Sequence, residues 1–315
     1  MFSCNRPAVA AALVLLLTAC GGEGSGLAPG TAPTASPSPT EGVPARTSTA
    51  TYQTAFSADE SRTFAGFGYE IVSRPTGATD ASGGRIFSRD IRFTDAPEAL
   101  FEFDASRRAA LFRFDGVDFT AVDDGTNFSR YSNSVQWYDP FGPDPVNIGF
   151  GGYGGNIAPY VAFAKNEYRR ADGADVVQTM FGGSRTLSAD LPPRGTRFQN
   201  VRVTVDAPDS DGVPAALGQG SASLRFDFTN DTVTIRTAPV EFAAGSSVPG
   251  LDIVLSGRLV RADALLSANV SDARTGASGV VRGFCFGPYC EDILLLGSIR
   301  FPNGRQAIVT VTGFD

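Results

Sequence analysis

The sequence predicts an all-β fold, and three observations support that prediction. The 315 residues include 36 Gly, 20 Pro and 24 Phe, a composition typical of short strands joined by turns. From about residue 51 onward the apolar residues repeat with a period of two, as in a strand with one buried face. No long stretch keeps an amphipathic helical face, although short helices could lie in 95–101 or 288–293.

The first twenty residues have the pattern of a secretion and lipidation signal. Arg6 supplies a positive charge, and residues 8–17 form an apolar run that suits a signal peptide but is too short to span a bilayer. Residues 17–21, LTACG, resemble a bacterial lipobox, in which the cysteine receives the lipid. We expect residues 1–19 to be a lipoprotein signal peptide and Cys20 to be lipidated. An ordinary signal peptide with an incidental cysteine is the alternative.

The expected lipid predicts where the protein is anchored. Gly21 stands where an Asp would favour retention in the inner membrane of many Gram-negative bacteria, so we expect an outer-membrane anchor. The anchored protein would face either the periplasm or the cell surface. Residues 20–50 are predicted to be a disordered tether, because all but five of residues 21–50 are Gly, Pro, Ser, Thr or Ala.

The C-terminal part of the chain divides into eight predicted strands separated by turn residues. Around 222–236, for example, apolar residues alternate with polar ones on both sides of the turn Thr229-Asn230-Asp231. The eight runs are 196–206, 219–228, 231–238, 251–261, 263–270, 278–286, 294–301 and 306–313. Eight antiparallel strands can close into a barrel that is filled by side chains or holds one small ligand. An open sandwich has the same periodicity.

Residues 51–195 are less regular. Strand-like runs occur at 64–71, 85–93, 110–114, 128–138, 158–164 and 176–181. Between them, residues 139–157 are rich in Pro and Gly, which indicates a long irregular loop.

Two segments near the C-terminus resemble a known family. Residues 283–292, GFCFGPYCED, and 297–301, GSIRF, resemble the late-barrel signature of the transferrin-binding protein B-like lipoproteins. That signature is an aromatic pair, Gly-Pro, a small residue, an acidic pair, then Gly and Phe. The matching positions are Gly283, Phe286, Gly287, Pro288 and Glu291. Residues 181–196 and 221–228 resemble other parts of the family's barrel, so the resemblance covers about 158–315 together with the lipoprotein start.

The resemblance implies a fold and a class of function. It implies a β-rich handle domain over 51–195, followed by an eight-stranded antiparallel up-and-down barrel over 196–315. Some family members bind host proteins such as transferrin or factor H, so it also implies a lipoprotein that binds an external protein or small molecule. The ligand and the ligand-binding residues are not identified, because the family's host contacts lie in variable loops. A structural or adhesion lipoprotein without a dedicated ligand is the alternative, followed by a periplasmic enzyme.

The composition excludes several kinds of chemistry. The chain has no His, which excludes a Ser-His-Asp triad and histidine-ligated zinc or haem. Its net charge of −7 and the absence of any basic run disfavour nucleic-acid binding. Lys165 is the single lysine. Carboxylate pairs, Ser/Thr or Cys nucleophiles with unusual bases and oxygen-ligated metals are the enzyme routes that the composition leaves open. No motif for any of them stands out, so we expect no catalytic residues, no metal and no cofactor. The lipoprotein start and the resemblance imply the membrane and an external ligand as partners.

Two cysteines, Cys285 and Cys290, bracket the Gly-Pro turn of the resembling segment. The family usually has an aromatic and a small residue at these positions. The lipoprotein start implies an oxidising compartment, so a disulfide is the favoured interpretation. A redox pair fits less well, because the spacing is Cys-x4-Cys. A metal site would lack histidine ligands.

Three weaker patterns have unremarkable interpretations. Residues 149–154 match G-x-G-x-x-G, but no helical pattern follows, so a loop that contacts a partner is favoured over a dinucleotide site. Asp206, Asp209, Asp211 and Gly212 fit an acidic hairpin loop better than a Ca²⁺ site. The aromatic residues around this region are expected to lie mostly in the core: Trp137, Tyr138, Phe141, Phe150, Tyr153 and Tyr160.

Overall fold

Two β-sheets account for most of the structure, which confirms the predicted all-β class. The computed structural model describes residues 52, 59–79, 85–131, 134–139, 146–152, 158–207, 216–243, 246 and 248–314. Strands β1–β9 form a nine-stranded antiparallel sheet, here called the handle sheet, and β10–β17 form a closed barrel. Within the described residues the helical segments are three short 3₁₀ turns, Ser188–Asp190, Arg261–Asp263 and Pro288–Cys290.

The barrel is antiparallel and each strand pairs with the next along the chain. Its strands are β10 (Thr196–Ala207), β11 (Ala216–Asp227), β12 (Thr232–Phe242), β13 (Leu251–Val260), β14 (Leu265–Ser271), β15 (Ser278–Phe286), β16 (Asp292–Arg300) and β17 (Gln306–Phe314). Pairing of β10 with β17 closes the sheet, so the open sandwich is excluded. Closure leaves no exposed strand edge in the barrel.

The barrel interior is filled by apolar side chains. Along β10, Val201, Val203 and Val205 are buried inside, whereas the intervening Arg202 is exposed. All eight strands contribute to one buried cluster, represented by Val203, Leu224, Val233, Leu255, Leu266, Val281, Leu295 and Val309. The barrel is therefore of the type whose interior is filled by side chains, rather than the type that holds a small ligand.

The handle sheet has the strand order β4-β3-β2-β1-β9-β8-β7-β6-β5. Its strands are β1 (Arg62–Thr79), β2 (Arg85–Asp104), β3 (Ala109–Phe114), β4 (Val117–Val122), β5 (Phe128–Arg130), β6 (Ser134–Asp139), β7 (Val146–Gly152), β8 (Val161–Arg169) and β9 (Asp175–Gly183). An aromatic cluster that includes Phe101, Phe112, Trp137 and Phe150 lies on its inner face. The Trp137 Nε1–H donates to the carbonyl of Arg108 at 2.9 Å.

Three expectations for this region are wrong. The segment 139–157 is not one long loop, because β7 occupies its middle. Ile148 and Phe150 alternate with Gly149 and Gly151 there, so a period of two was hidden by the glycine content. Residues 95–101 belong to β2 rather than to a helix, and 128–138 contains two strands, β5 and β6.

The outer face of the handle sheet packs against the outer wall of the barrel. Phe67, Ile71 and Phe181 of the handle sheet contribute to one buried cluster with barrel residues. The barrel side of this cluster comes from β15, β16 and β17 and comprises Phe284, Phe286, Leu294, Leu296 and Ile308. Both sheets belong to the same compact unit.

No helix in the described part of the chain is both long enough and apolar enough to span a membrane.

Candidate functional site

The segment that carries the family resemblance forms a tight reversal, here called the corner (residues 283–292). It comprises the end of β15, the 3₁₀ turn and the first residue of β16. A disulfide joins Cys285 to Cys290, whose Cα atoms are 4.7 Å apart, and both cysteines are fully buried. Gly287, Tyr289 and Cys290 all have positive φ angles, so the backbone reverses within very few residues.

Side chains inside the barrel hold the carbonyl groups of this turn. Arg197 Nη1 donates to the carbonyls of Tyr289 at 2.7 Å and Cys290 at 2.9 Å. Gln199 Nε2 donates to the carbonyls of Cys290 and Glu291, both at 2.8 Å. Both donors come from β10 and are buried. The turn carbonyls are therefore satisfied without water, which a buried backbone requires.

The opposite side of the corner is fastened to the handle. Thr186 Oγ1 donates to the Gly287 carbonyl at 2.7 Å, and the Gly287 N–H donates to the Ser184 carbonyl at 2.7 Å. The Tyr160 N–H donates to Asp292 Oδ2 at 2.9 Å. A Cβ at Gly287 would lie 2.3 Å from the Tyr160 ring, so only glycine fits beneath that ring.

The remaining motif positions also serve the fold. A Cβ at Gly283 would lie 1.7 Å from the Leu294 carbonyl, so β15 and β16 approach closely there. Phe286 is fully buried in the cluster between the two sheets. Pro288 begins the 3₁₀ turn, and its carbonyl accepts the Glu291 N–H at 3.2 Å. The corner therefore joins the two sheets, and most of its residues are buried in that contact.

Two further groups pack at this end of the molecule. The Arg185 guanidinium lies 3.6 Å from the centroid of the Phe284 ring, a cation–π geometry. Burial lowers the Arg185 pKa, and the charge of Asp263 opposes that change. Tyr52 follows the predicted tether, and its hydroxyl donates to Asp190 Oδ2 at 2.6 Å. Burial, together with the hydrogen bond to Asp190, raises the pKa of Tyr52 to about 12.

A partly exposed polar surface lies on the outer face of β6, β7 and β8. Strand register arranges six side-chain positions there in two rows, here called the outer array. One row is Tyr138, Asn147 and Glu167, and the other is Gln136, Gly149 and Lys165. The alternate residues on these strands, among them Trp137 and Ile148, are fully buried in the core.

Hydrogen bonds connect the polar members of the outer array. Gln136 Nε2 donates to Asn147 Oδ1 at 2.8 Å, and Asn147 Nδ2 donates to Glu167 Oε2 at 2.9 Å. Lys165 forms an ion pair with the same Glu167 carboxylate. These bonds fix the planes of two amides and one carboxylate before any ligand is present.

The middle of the outer array is open. Among the described residues, a Cβ built at Gly149 would meet no atom within 4 Å, so neither their packing nor a positive φ requires glycine there. Tyr138 stands beside the opening with 53% of its surface exposed. Lys165 lies near Asp206 of barrel strand β10, so this end of the outer array borders the barrel. Burial raises the pKa of Asp206, and the positive charges of Arg89 and Lys165 oppose that change.

The other predicted site residues do not assemble into a site. Gly149–Gly152 lie inside β7, so the glycine pattern is not a phosphate-binding turn between a strand and a helix. No cluster of three potential metal ligands occurs among the described residues. Trp137 and Phe150 are core residues, and Tyr160 packs on the corner. The remaining positions lie outside the described residues: Cys20, the tether, Phe141, Tyr153, Asp209, Asp211 and Gly212.

No family model and no curated protein matches the chain. Among solved structures, it is similar to the isotype 1 transferrin binding protein B of serogroup B Neisseria meningitidis. That match has a TM-score of 0.38 and 11% identity, and it covers 78% of this chain and 43% of that chain. The chain therefore spans less than half the length of the Neisseria protein.

Two other solved structures also belong to the family that the sequence resembles. A variant of transferrin binding protein B from Haemophilus parasuis gives a TM-score of 0.36 at 10% identity, covering 81% of this chain and 76% of that chain. An intact transferrin binding protein B with N and C lobes gives 0.35 at 10% identity, covering 83% and 78%. Because these scores are low, the fold described above rests on the strand pairings alone.

Proposed function

We propose that the protein is a lipid-anchored binding protein of the outer membrane that captures an external ligand on the outer face of its handle sheet. The lipobox-like segment around Cys20 and the resemblance to lipoproteins support the anchor. The observation that carries the binding proposal is the outer array. It is polar, partly exposed and held in place by its own hydrogen bonds, although none of its side chains contributes to the core.

Packing narrows the places where a ligand can bind. The barrel interior is occupied by the cluster that includes Val203, Leu255 and Leu295, so a ligand inside the barrel would have to displace core side chains. The corner is occupied by contacts between the two sheets. The outer array has neither obstacle, and it borders the barrel, at the kind of junction where ligand sites often form.

Binding without catalysis also agrees with the chemistry of the chain. The sequence has no histidine, and the polar residues of the outer array are two amides, a tyrosine and an ion pair. Neither amide can act as a general acid or base near neutral pH, and the carboxylate of Glu167 is engaged by Lys165 and Asn147. We therefore propose a role in recognition, with no cofactor.

Two measurements test the proposal. Cys20→Ala should move the protein from the membrane fraction to the soluble fraction or leave it unprocessed. Unchanged fractionation of that variant would contradict the anchor.

The second measurement tests ligand binding at the outer array. The wild-type protein and a Gly149→Tyr variant, in which the new side chain fills the opening, are immobilised and exposed to the same extracellular material. We expect at least one component to be retained by the wild type alone. Identical retention by both proteins would favour a structural lipoprotein without a ligand at this face.

A further inference from the structure

The size of the outer array limits the class of ligand. Three neighbouring strands span about 10 Å, and alternate residues along one strand are about 7 Å apart. A stable protein partner needs about 800 Å² on each side, many times this area. The array has instead the footprint of one or two sugar rings.

The charges of the outer array point to a neutral ligand. Lys165 and Glu167 neutralise each other as an ion pair, and the remaining members are uncharged. The surface therefore has no excess charge to attract a phosphate, a sulfate or a basic peptide. Asp206 and Arg89, next to Lys165 at the barrel border, are again one acidic and one basic group.

The hydrogen-bonding groups suit adjacent hydroxyls. Each amide nitrogen of Gln136 and Asn147 carries two hydrogens and donates one within the array. Each nitrogen therefore has a second hydrogen directed by a fixed amide plane. The Glu167 carboxylate has acceptor positions beyond the two that its partners use. Planar groups with paired donors and acceptors match the neighbouring hydroxyls of a sugar ring.

An aromatic ring and an open floor complete the surface. Tyr138 is adjacent to Asn147 in register, and its exposed ring offers an apolar face with a polar tip. Gly149 lies between Gln136 and Lys165, and no atom of the described residues lies within 4 Å of its Cβ position. From these features we propose that the outer array binds a neutral saccharide, with Tyr138 against the ring and the amides and Glu167 on its hydroxyls. This inference rests on the proposed function.

The experiment is binding of neutral oligosaccharides of glucose, galactose, mannose and N-acetylglucosamine, with acidic oligosaccharides alongside. We expect the wild-type protein to bind at least one neutral oligosaccharide, and Gly149→Val and Tyr138→Ala each to weaken that binding at least about tenfold. Valine suits a strand, and the space at Gly149 is open, so this variant should fold. Thr120→Val is the matched control, because it adds an exposed valine on edge strand β4 and should leave binding unchanged.

Every outcome bears on the inference. Binding of no neutral oligosaccharide, binding of acidic ones alone, or equal binding by Gly149→Val would overturn it. A parallel arm applies the same proteins to immobilised serum proteins. A serum protein bound by the wild type and lost in Gly149→Val, without saccharide binding, would overturn the ligand class and leave the proposed function standing. If Gly149→Val retains all the binding of the wild type in both arms, the saccharide proposal and the proposed binding function of the outer array are both overturned.

Discussion

At the scale of single residues, the junction between the two sheets depends on how closely Tyr160 approaches glycine backbone. A Cβ at Gly183 would lie 2.0 Å from the Tyr160 carbonyl oxygen, and one at Gly287 would lie 2.3 Å from the Tyr160 ring. Both glycines also have positive φ, at +153° and +70°. Glycine is therefore needed at these positions for two separate reasons, backbone conformation and space.

A pair of glycine variants separates those two reasons. Gly304 has a φ of +86° and nothing within 4 Å of its Cβ position, so Gly304→Ala should cost only the conformational term, about 1 kcal/mol. Gly287→Ala adds the clash with Tyr160 and should cost about 3 kcal/mol. Denaturant unfolding of both variants measures the difference, and equal destabilisation would show that Tyr160 moves aside freely.

The second residue-scale prediction concerns pH. Burial raises the pKa of the Asp206 carboxyl above its unfolded value of about 3.9. Folding therefore favours the protonated form. The stabilising contribution is complete below pH ~3.9 and is lost as pH rises through the folded pKa. Asp206→Asn removes the charge and keeps the shape. At pH 7 the melting temperature of the variant should exceed that of the wild type, and at pH 3 this difference should be smaller. A difference that does not depend on pH would contradict the assignment.

At the scale of elements, the corner carries the disulfide prediction. Cross-linking so short a loop stabilises the folded state by about 2 kcal/mol in the chain-entropy model. Cys285→Ser with Cys290→Ser should therefore lower stability modestly, because eight paired strands and the contacts of Arg197 remain. Thermal unfolding with and without reductant checks this for the wild type, and the double variant should not respond to reductant. Complete unfolding on reduction would show that the corner, and not the strand pairing, holds the barrel.

Strand prediction succeeded where burial alternates cleanly and failed where it does not. Each barrel strand lies within four residues of its expected bounds, because inward Val, Leu, Ile and Phe alternate with outward polar residues on most of the strands. In β7 two of the outward positions are glycines, Gly149 and Gly151, so composition suggested a loop. The six residues of β4 were missed because the strand is short and mostly exposed.

The corner and the outer array differ in how far the sequence alone could predict them. The corner was visible as a local motif, but its role was not, because Asp292 bonds to a residue 132 positions earlier. The outer array left no local signal. Its members come from three strands, and only their register makes Gln136, Asn147 and Glu167 neighbours. Sequence spacing cannot report such cross-strand pairs until the pairing itself is known.

At the scale of the whole molecule, the barrel has one apolar face that requires the handle. Phe284, Leu294 and Leu296 point outward from the barrel wall and are buried against the handle sheet. We propose residue 196 as the start of the barrel domain. Residues 196–315 alone should then self-associate through this exposed face. Sedimentation velocity of the fragment checks this, and Leu294→Ser with Leu296→Ser should reduce association. A monomeric parent fragment would contradict the prediction.

The attachment of Tyr52 decides how the molecule bears mechanical load. Tension from a membrane tether would reach the folded part through this tyrosine, whose hydroxyl bonds to Asp190 and to the Leu187 N–H. Asp190 belongs to the short turn between the last handle strand and the first barrel strand. Such a force would therefore first strain a few side-chain contacts at the connection between β9 and β10. Because the backbone continues from Tyr52 to β1, the strand ladder of the handle sheet would bear the load only after these side-chain contacts had broken.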